Sequence, residues 1–222
     1  MKLCIFLFCL VFLTGFTHLP VGIRISCSHP GLIALTFDDG VTKNSIPLLN
    51  ILDLEQVKAS FFIVGETLVE RHGLSTLRQI STQGHFIANH TWTHLYLTHL
   101  QDQQIETEVL TTQNGIDTLT TPKPRYLRPP YGAINQHVYD KLTEMGFKVV
   151  LWNFDSRDWD VRKTKTTIWA HYQHTMATAD PKKDSFIILL HERRITLALL
   201  SDMIRTGREK GFEFVTIDKC IP

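Results

Sequence analysis

The chain has 222 residues, with 23 Lys or Arg against 22 Asp or Glu, so its net charge is +1 with histidine neutral. That balance supplies neither a basic stripe for nucleic acid nor a polyanionic surface, and nucleic-acid partners are set aside. The length is that of one domain, and the 11 histidines are the compositional signal, because imidazole is the commonest metal ligand and a proton carrier near neutral pH.

The opening segment MKLCIFLFCLVFLTGF places Lys2 before an apolar run that ends near Phe16. This is the pattern of a secretory leader, expected over residues 1–26 with cleavage between 16 and 26; a buried helix or an uncleaved anchor is the alternative. The run is shorter than the roughly 20 apolar residues of a membrane span. No later segment is long enough either, so the mature chain is expected to have no membrane span. Cys4 and Cys9 fall in the leader, which leaves Cys27 and Cys220 at opposite ends of a domain spanning 27–222. In an oxidising compartment such a pair suggests one disulfide, worth on the order of 4–5 kcal/mol by loop entropy; two buried thiols are the alternative.

Strand-like and helix-like stretches then alternate. GLIALTF (31–37) is a continuous apolar run, the mark of a strand buried on both faces. SIPLLNILDLE (45–55) has helical spacing and KASFFIV (58–64) is strand-like. A helical region over 66–83 leads to the strand HFIANH (85–90), then a helix over 101–119. TPKPRY (121–126) reads as a loop running into the strand RYLR (125–128), followed by a helix at 135–145 and the strand FKVVLWNF (147–154). A helix at 165–178, the strand SFIILL (185–190), a helix at 195–209 and the strand FEFVTI (212–217) complete the chain. Alternation of this kind predicts an α/β fold with parallel strands. About seven units predict a distorted (β/α) barrel, since a full eightfold barrel takes about 250 residues.

Asp38, Asp39, His90, Arg128, Asp155, Asp158 and His191 all fall at or just beyond the C-terminal ends of predicted strands. In β/α folds that rim is where active sites are built. Two adjacent carboxylates raise each other's energy unless a cation sits beside them. HTWTH (90–94) supplies a partner: if helical, its i and i+4 imidazoles share one face, although a surface helix also carries such pairs without a ligand. Together with Asp39, His90 and His94 form a facial set for a divalent ion, with Zn²⁺ the first choice and Co²⁺ or another divalent ion the alternative. Gly40 permits the turn that aims both carboxylates inward, and Asp38 is left free as a general base; an ordinary Asp-Gly turn is the competing reading.

TFDDG (36–40), HTWTH (90–94), RPPYG (128–132), DSRDW (155–159) and LLH (189–191) occur in the order and at roughly the separations of five family motifs. These are the motifs of the polysaccharide deacetylases, the NodB-homology, family-four carbohydrate esterases, which the chain resembles from about Cys27 to Cys220. ALTFDDG, VKASFF, WNFDSRDW and the closing GFEFVTIDKC are similar to the fungal-type chitin deacetylases, whose usual disulfide the cysteine pair also matches.

The resemblance implies a secreted monomer that removes N-acetyl groups from chitin or a related β-1,4-linked N-acetylglucosamine polymer. By the same resemblance Arg128 pairs with Asp38, and the Tyr131 N–H donates to the oxyanion. His191 is the general acid, with Asp158 favouring its imidazolium form, and Trp159 and Leu189 wall the sugar and acetyl pocket. Peptidoglycan or acetylxylan deacetylation, and an inactive wall-polysaccharide-binding relative, are the alternatives. Trp92 is expected to pack beneath the metal, and His72, His85, His99, His137, His171 and His174 to serve surface or packing roles. Val41, where Pro is usual, and Arg193 depart from the pattern; Arg193 is a candidate influence on substrate choice.

Overall fold

The structure, a computed structural model, describes residues 19–121 and 123–222. The apolar part of the expected leader lies outside them. Within the described part of residues 1–26, Arg24 makes a parallel bridge to Val150, its N–H donating to Val149 O and its carbonyl accepting from Leu151 N–H.

The elements follow in chain order: β1 (Leu32–Gly40), α1 (Ser45–Leu54), β2 (Ser60–Ile63), α2 (Gly73–Thr82), β3 (Phe86–Asn89), α3 (Asp102–Asp117), β4 (Tyr126–Leu127) and α4 (Gln136–Glu144). They continue with β5 (Lys148–Val149), β6 (Phe154–Asp155), α5 (Lys165–Thr178), β7 (Phe186–His191), α6 (Arg194–Lys210), β8 (Glu213–Val215) and α7 (Ile217–Cys220). Every strand pair is parallel, and the path β5-β4-β3-β2-β1-β7-β6 makes the seven-stranded curled sheet of a half-barrel, as expected for the distorted (β/α) barrel. β8 adds to β1 at Leu32–Ala34, below the stretch where β2 pairs with it.

Two expectations need correction. FKVVLWNF is not one strand: β5 and β6 lie at opposite edges of the sheet, and residues 150–153 cross between them. The run is apolar because it is buried, not because it pairs throughout. The helical region over 66–83 is also broken, into a 3-10 turn at Gly65–Val69 and α2. Gly73 enters α2 against the backbone of Thr67 and Leu68, where a Cβ would stand 2.2 Å from Thr67 O.

Alternation along the central strands divides the core in two. Ile33, Leu35 and Phe37 of β1 pack outward with Leu48, Leu200 and Tyr172 under the helices. Ala34 of β1, Phe62 of β2 and Ile187 of β7 face the barrel interior, with Cys27 and Cys220. By the same period of two, Thr36 and Asp38 point inward above Ala34. The expected disulfide Cys27–Cys220 is present and closes this interior from below. Among the described residues no helix is long and apolar enough to cross a membrane.

Candidate active site

Strand register assembles the site. Asp38 on β1 lies directly beside His191 on β7, and Asp155 on β6 beside Leu189. Asn89 on β3 pairs with Leu127 on β4, which brings His90 and Arg128 together one residue further along. There the Arg128 N–H donates to Asn89 O, and His90 Nδ1 donates to Arg128 O at 2.7 Å. That bond places the proton on Nδ1 and leaves Nε2 as a lone pair turned into the cavity.

The segment HTWTH is not helical, although its i, i+4 spacing suits a helix. It is an irregular loop in which Thr91 and His94 take left-handed φ values of 68° and 59°. Its support comes from a residue that sequence reasoning missed. Glu108 on α3, buried, accepts from Trp92 N–H at 3.0 Å, Thr93 N–H at 2.8 Å and the Thr93 hydroxyl at 2.6 Å. Trp92 packs against Gly65, where a Cβ would come within 2.3 Å of the indole, in the packing role expected of it.

The loop turns both imidazoles onto Asp39, itself left-handed at φ 63°. His90 Nε2 and His94 Nε2 are 3.2 Å apart, and Asp39 Oδ1 stands 3.5 Å and 3.3 Å from them. Asp39 Oδ1 is buried without a hydrogen-bond partner. The three edges match the separation of about 3.3 Å between donors of a tetrahedral ion held at about 2.0–2.1 Å. A buried carboxylate oxygen without a hydrogen-bond partner, set between two imidazole Nε2 atoms, is a donor set that a divalent ion takes, so the residues fit one. Burial raises the Asp39 carboxyl, but the surrounding imidazoles of His90, His191 and His94 outweigh it and hold the group at about 2. His94 is pushed below its ordinary value by burial and by His90.

Asp38 is not part of that triangle. Its Oδ1 accepts from Arg128 Nη1 at 2.6 Å, and Oδ2 lies 3.7 Å from His90 Nε2. Arg128 is 0% exposed. Its remaining N–H groups reach Thr36 Oγ1, Val150 O and Leu151 O, and its guanidinium lies 4.1 Å over the Phe62 ring. Burial lowers the Arg128 value and the Asp38 charge opposes that shift.

His191 Nδ1 donates to Asp158 Oδ1 at 2.7 Å, while Asp158 Oδ2 accepts from the His191 N–H and the Thr196 hydroxyl. Burial lowers His191, but the Asp158 carboxylate wins and the net shift is upward. Its other nitrogen, Nε2, is 3.8 Å from Asp39 Oδ2. The ring therefore reaches the cavity with one nitrogen and its supporting carboxylate with the other.

The cavity has a volume of about 520 Å³, and its walls include Leu189, Trp159 and Tyr131, all three expected from the sequence. Trp159 is oriented by Asp155, which accepts from indole Nε1 at 3.2 Å. Tyr131 sits at φ 61°, and no acceptor among the described residues takes its N–H. Tyr96, Trp152 and Arg193 also line the cavity. Of these the sequence reading singled out only Arg193.

Asn89-His90-Thr91 is an N-glycosylation pattern. Asn89 is fully buried, its Nδ2 donating to Val109 O and its Oδ1 accepting from Thr91 N–H. Mass spectrometry of protein secreted from a eukaryotic host is expected to find Asn89 unmodified. A glycan there would contradict the packing of this segment.

A family model described as "Polysaccharide deacetylase" matches residues 26–150. The "Peptidoglycan-N-acetylglucosamine deacetylase PgdA" of Listeria monocytogenes is 33% identical over 189 residues, 84% of this chain; the chain spans only 38% of that relative's length. A "Chitin deacetylase" of Colletotrichum lindemuthianum is 29% identical over 211 residues, covering 92% of this chain and 85% of the relative. The solved structure of the chitin deacetylase from that fungus superposes with a TM-score of 0.83 at 26% identity, over 91% of this chain and 93% of its own. Sequence match, superposition and the meeting of five separated motifs in one cavity agree: the chain belongs to the polysaccharide deacetylase family.

Proposed function

We propose that the chain is a secreted, metal-dependent hydrolase that removes N-acetyl groups from β-1,4-linked N-acetylglucosamine polymers, with chitin as substrate and chitosan and acetate as products. The observation that carries this reading is the division of labour between adjacent carboxylates. Asp39 Oδ1 stands between the Nε2 atoms of His90 and His94 without a hydrogen-bond partner, while Asp38 is held by Arg128 outside that triangle.

Asp39, His90 and His94 would hold the ion, Zn²⁺ or Co²⁺, which when bound supplies Lewis acidity to a carbonyl oxygen and to water. Asp38 takes a proton from the attacking water, and its hydrogen bond from Arg128 holds it aimed. As the water oxygen bonds to the acetyl carbon, negative charge grows on the carbonyl oxygen, where the free N–H of Tyr131 donates. His191 then gives its Nε2 proton to the departing nitrogen as the C–N bond breaks, and Asp158 stabilises the imidazolium beforehand. Trp159 and Leu189 receive the sugar and the acetyl methyl; an indole face and a pyranose ring are complementary apolar surfaces.

A second reading keeps the chemistry and changes the polymer to peptidoglycan, favoured by the 33% identity of the Listeria relative. Acetylxylan would make the enzyme an O-deacetylase, and an inactive relative would only bind the wall. Acetate release is measured over chitin oligomers, peptidoglycan fragments and acetylxylan. It is expected with the first, to vanish on chelation and to return with added Zn²⁺ or Co²⁺. No acetate from any of the three, with metal supplied, would end the catalytic reading.

A further inference from the structure

We propose that Tyr96 is a positioning residue for the reaction: its ring, stacked on Tyr131, holds the Tyr131 N–H aimed at the oxyanion. The inference rests on the deacetylase reading for the role of that N–H, but Tyr96 belongs to none of the five motifs.

The starting point is backbone strain. Tyr131 has φ 61° and ψ 6° in the turn after Pro129–Pro130. A side chain larger than glycine persists in the left-handed region only where its surroundings impose it. One restraint is visible behind the turn, where a Cβ on Gly132 would lie 2.7 Å from the Trp152 ring. That crowding admits only glycine at 132, and the Gly132 and Ala133 N–H groups bond Pro129 O and Pro130 O, but none of these touches the Tyr131 side chain.

The Tyr131 ring has two aromatic neighbours. It meets the His94 ring obliquely, centroids 4.6 Å apart at 60°. It lies nearly flat on Tyr96, with centroids 3.9 Å apart and planes 14° from parallel. Tyr131 is 55% exposed, and Tyr96 and His94 are the two rings that stack or tilt against it. Tyr96 is itself supported: His99 stacks on it at 5.3 Å and 29°, and the His99 N–H donates to Tyr96 O. Between these two, Leu97 is fully buried and anchors the 3-10 turn Leu97–His99 to the core. A column of three rings thus runs from an anchored turn to the left-handed residue.

Without the Tyr96 ring, Tyr131 loses the surface that selects its left-handed state and can relax toward right-handed backbone. That rotation swings the N–H away from the cavity. The hydroxyl of Tyr96 has no part in the argument; the ring does. A sugar platform would use the same exposed rings differently, by binding substrate rather than by shaping the oxyanion donor.

The test uses the full secreted chain with zinc and a chitin oligomer, comparing Tyr96→Ala, Tyr96→Leu and Tyr96→Phe. Loss of a whole oxyanion donor costs about 10²–10³ in kcat, so a misaimed one is expected to cost about tenfold or more in the Ala and Leu variants. KM should change little, and Tyr96→Phe should stay within about twofold of the native enzyme, the ring being kept. A rise in KM with kcat unchanged would assign Tyr96 to substrate binding and overturn the proposal. Independently of turnover, a crystal structure of Tyr96→Ala is expected to show Tyr131 out of the left-handed region. If Tyr131 keeps its conformation there, the proposal fails even in an active enzyme. If the native enzyme releases no acetate, the deacetylase reading fails while the Tyr131 backbone remains a test of the stack.

Discussion

Asp38→Asn is expected to lower acetate release by about 10²–10⁴-fold, the contribution of a positioned general base, while Zn²⁺ affinity falls little. The asparagine keeps the shape and can still accept from Arg128 through its amide oxygen. It cannot take a proton from water. The triangle of Asp39, His90 and His94 does not include Asp38, which lies 3.7 Å from His90 Nε2 and makes its short contact with Arg128 instead. Kinetics and zinc titration calorimetry on the same preparation separate the two roles. A variant that loses zinc in step with activity would place Asp38 among the ligands and dismantle the assignment of the adjacent carboxylates.

Arg128→Met is expected to abolish activity and also to destabilise the fold by about 3–5 kcal/mol, the cost of leaving a buried charge without its partner. Arg128 is 0% exposed and bridges Asp38, Thr36 and two carbonyls of residues 150–151. Its removal strands the Asp38 carboxylate and frees two carbonyls in the segment that crosses from β5 to β6. Methionine fills much of the volume, so the loss reads charge and hydrogen bonding rather than a cavity. Denaturant unfolding gives the magnitude. The double variant Arg128→Met with Asp38→Asn should be less destabilised than the sum of the singles, because the stranded charge is gone. Additivity would mean that the two side chains are not energetically coupled, and Arg128 would then have no special role in orienting the base.

The disulfide and the alternation of strands and helices were legible because each leaves a local trace: a cysteine pair, a continuous apolar run, a period near 3.6. α5 was expected at 165–178 and is found at Lys165–Thr178. Its Thr164–Thr167 capping box, with Thr164 Oγ1 accepting from Thr167 N–H, starts the helix by chemistry written in four residues. The loop form of HTWTH was not legible. Its i, i+4 spacing suits a helix, but the backbone N–H groups of Trp92 and Thr93 find a better acceptor in Glu108. Nothing near position 108 announces this, since Glu on a helix is ordinarily a solvated residue.

The parallel α/β architecture, the rim on which the chemistry stands and the two imidazoles and paired carboxylates to expect there could all be read from the order of residues. These follow from residue type, order and strand parity, which act over a few residues. Tertiary packing alone settled how FKVVLWNF divides between opposite edges of the sheet, that Glu108 holds the HTWTH loop, and that Tyr96 rests on Tyr131. Each of those depends on a partner brought near by packing of other segments. A buried polar group or an exposed ring takes whichever partner the finished fold places within reach, and a one-dimensional pattern carries no record of that choice.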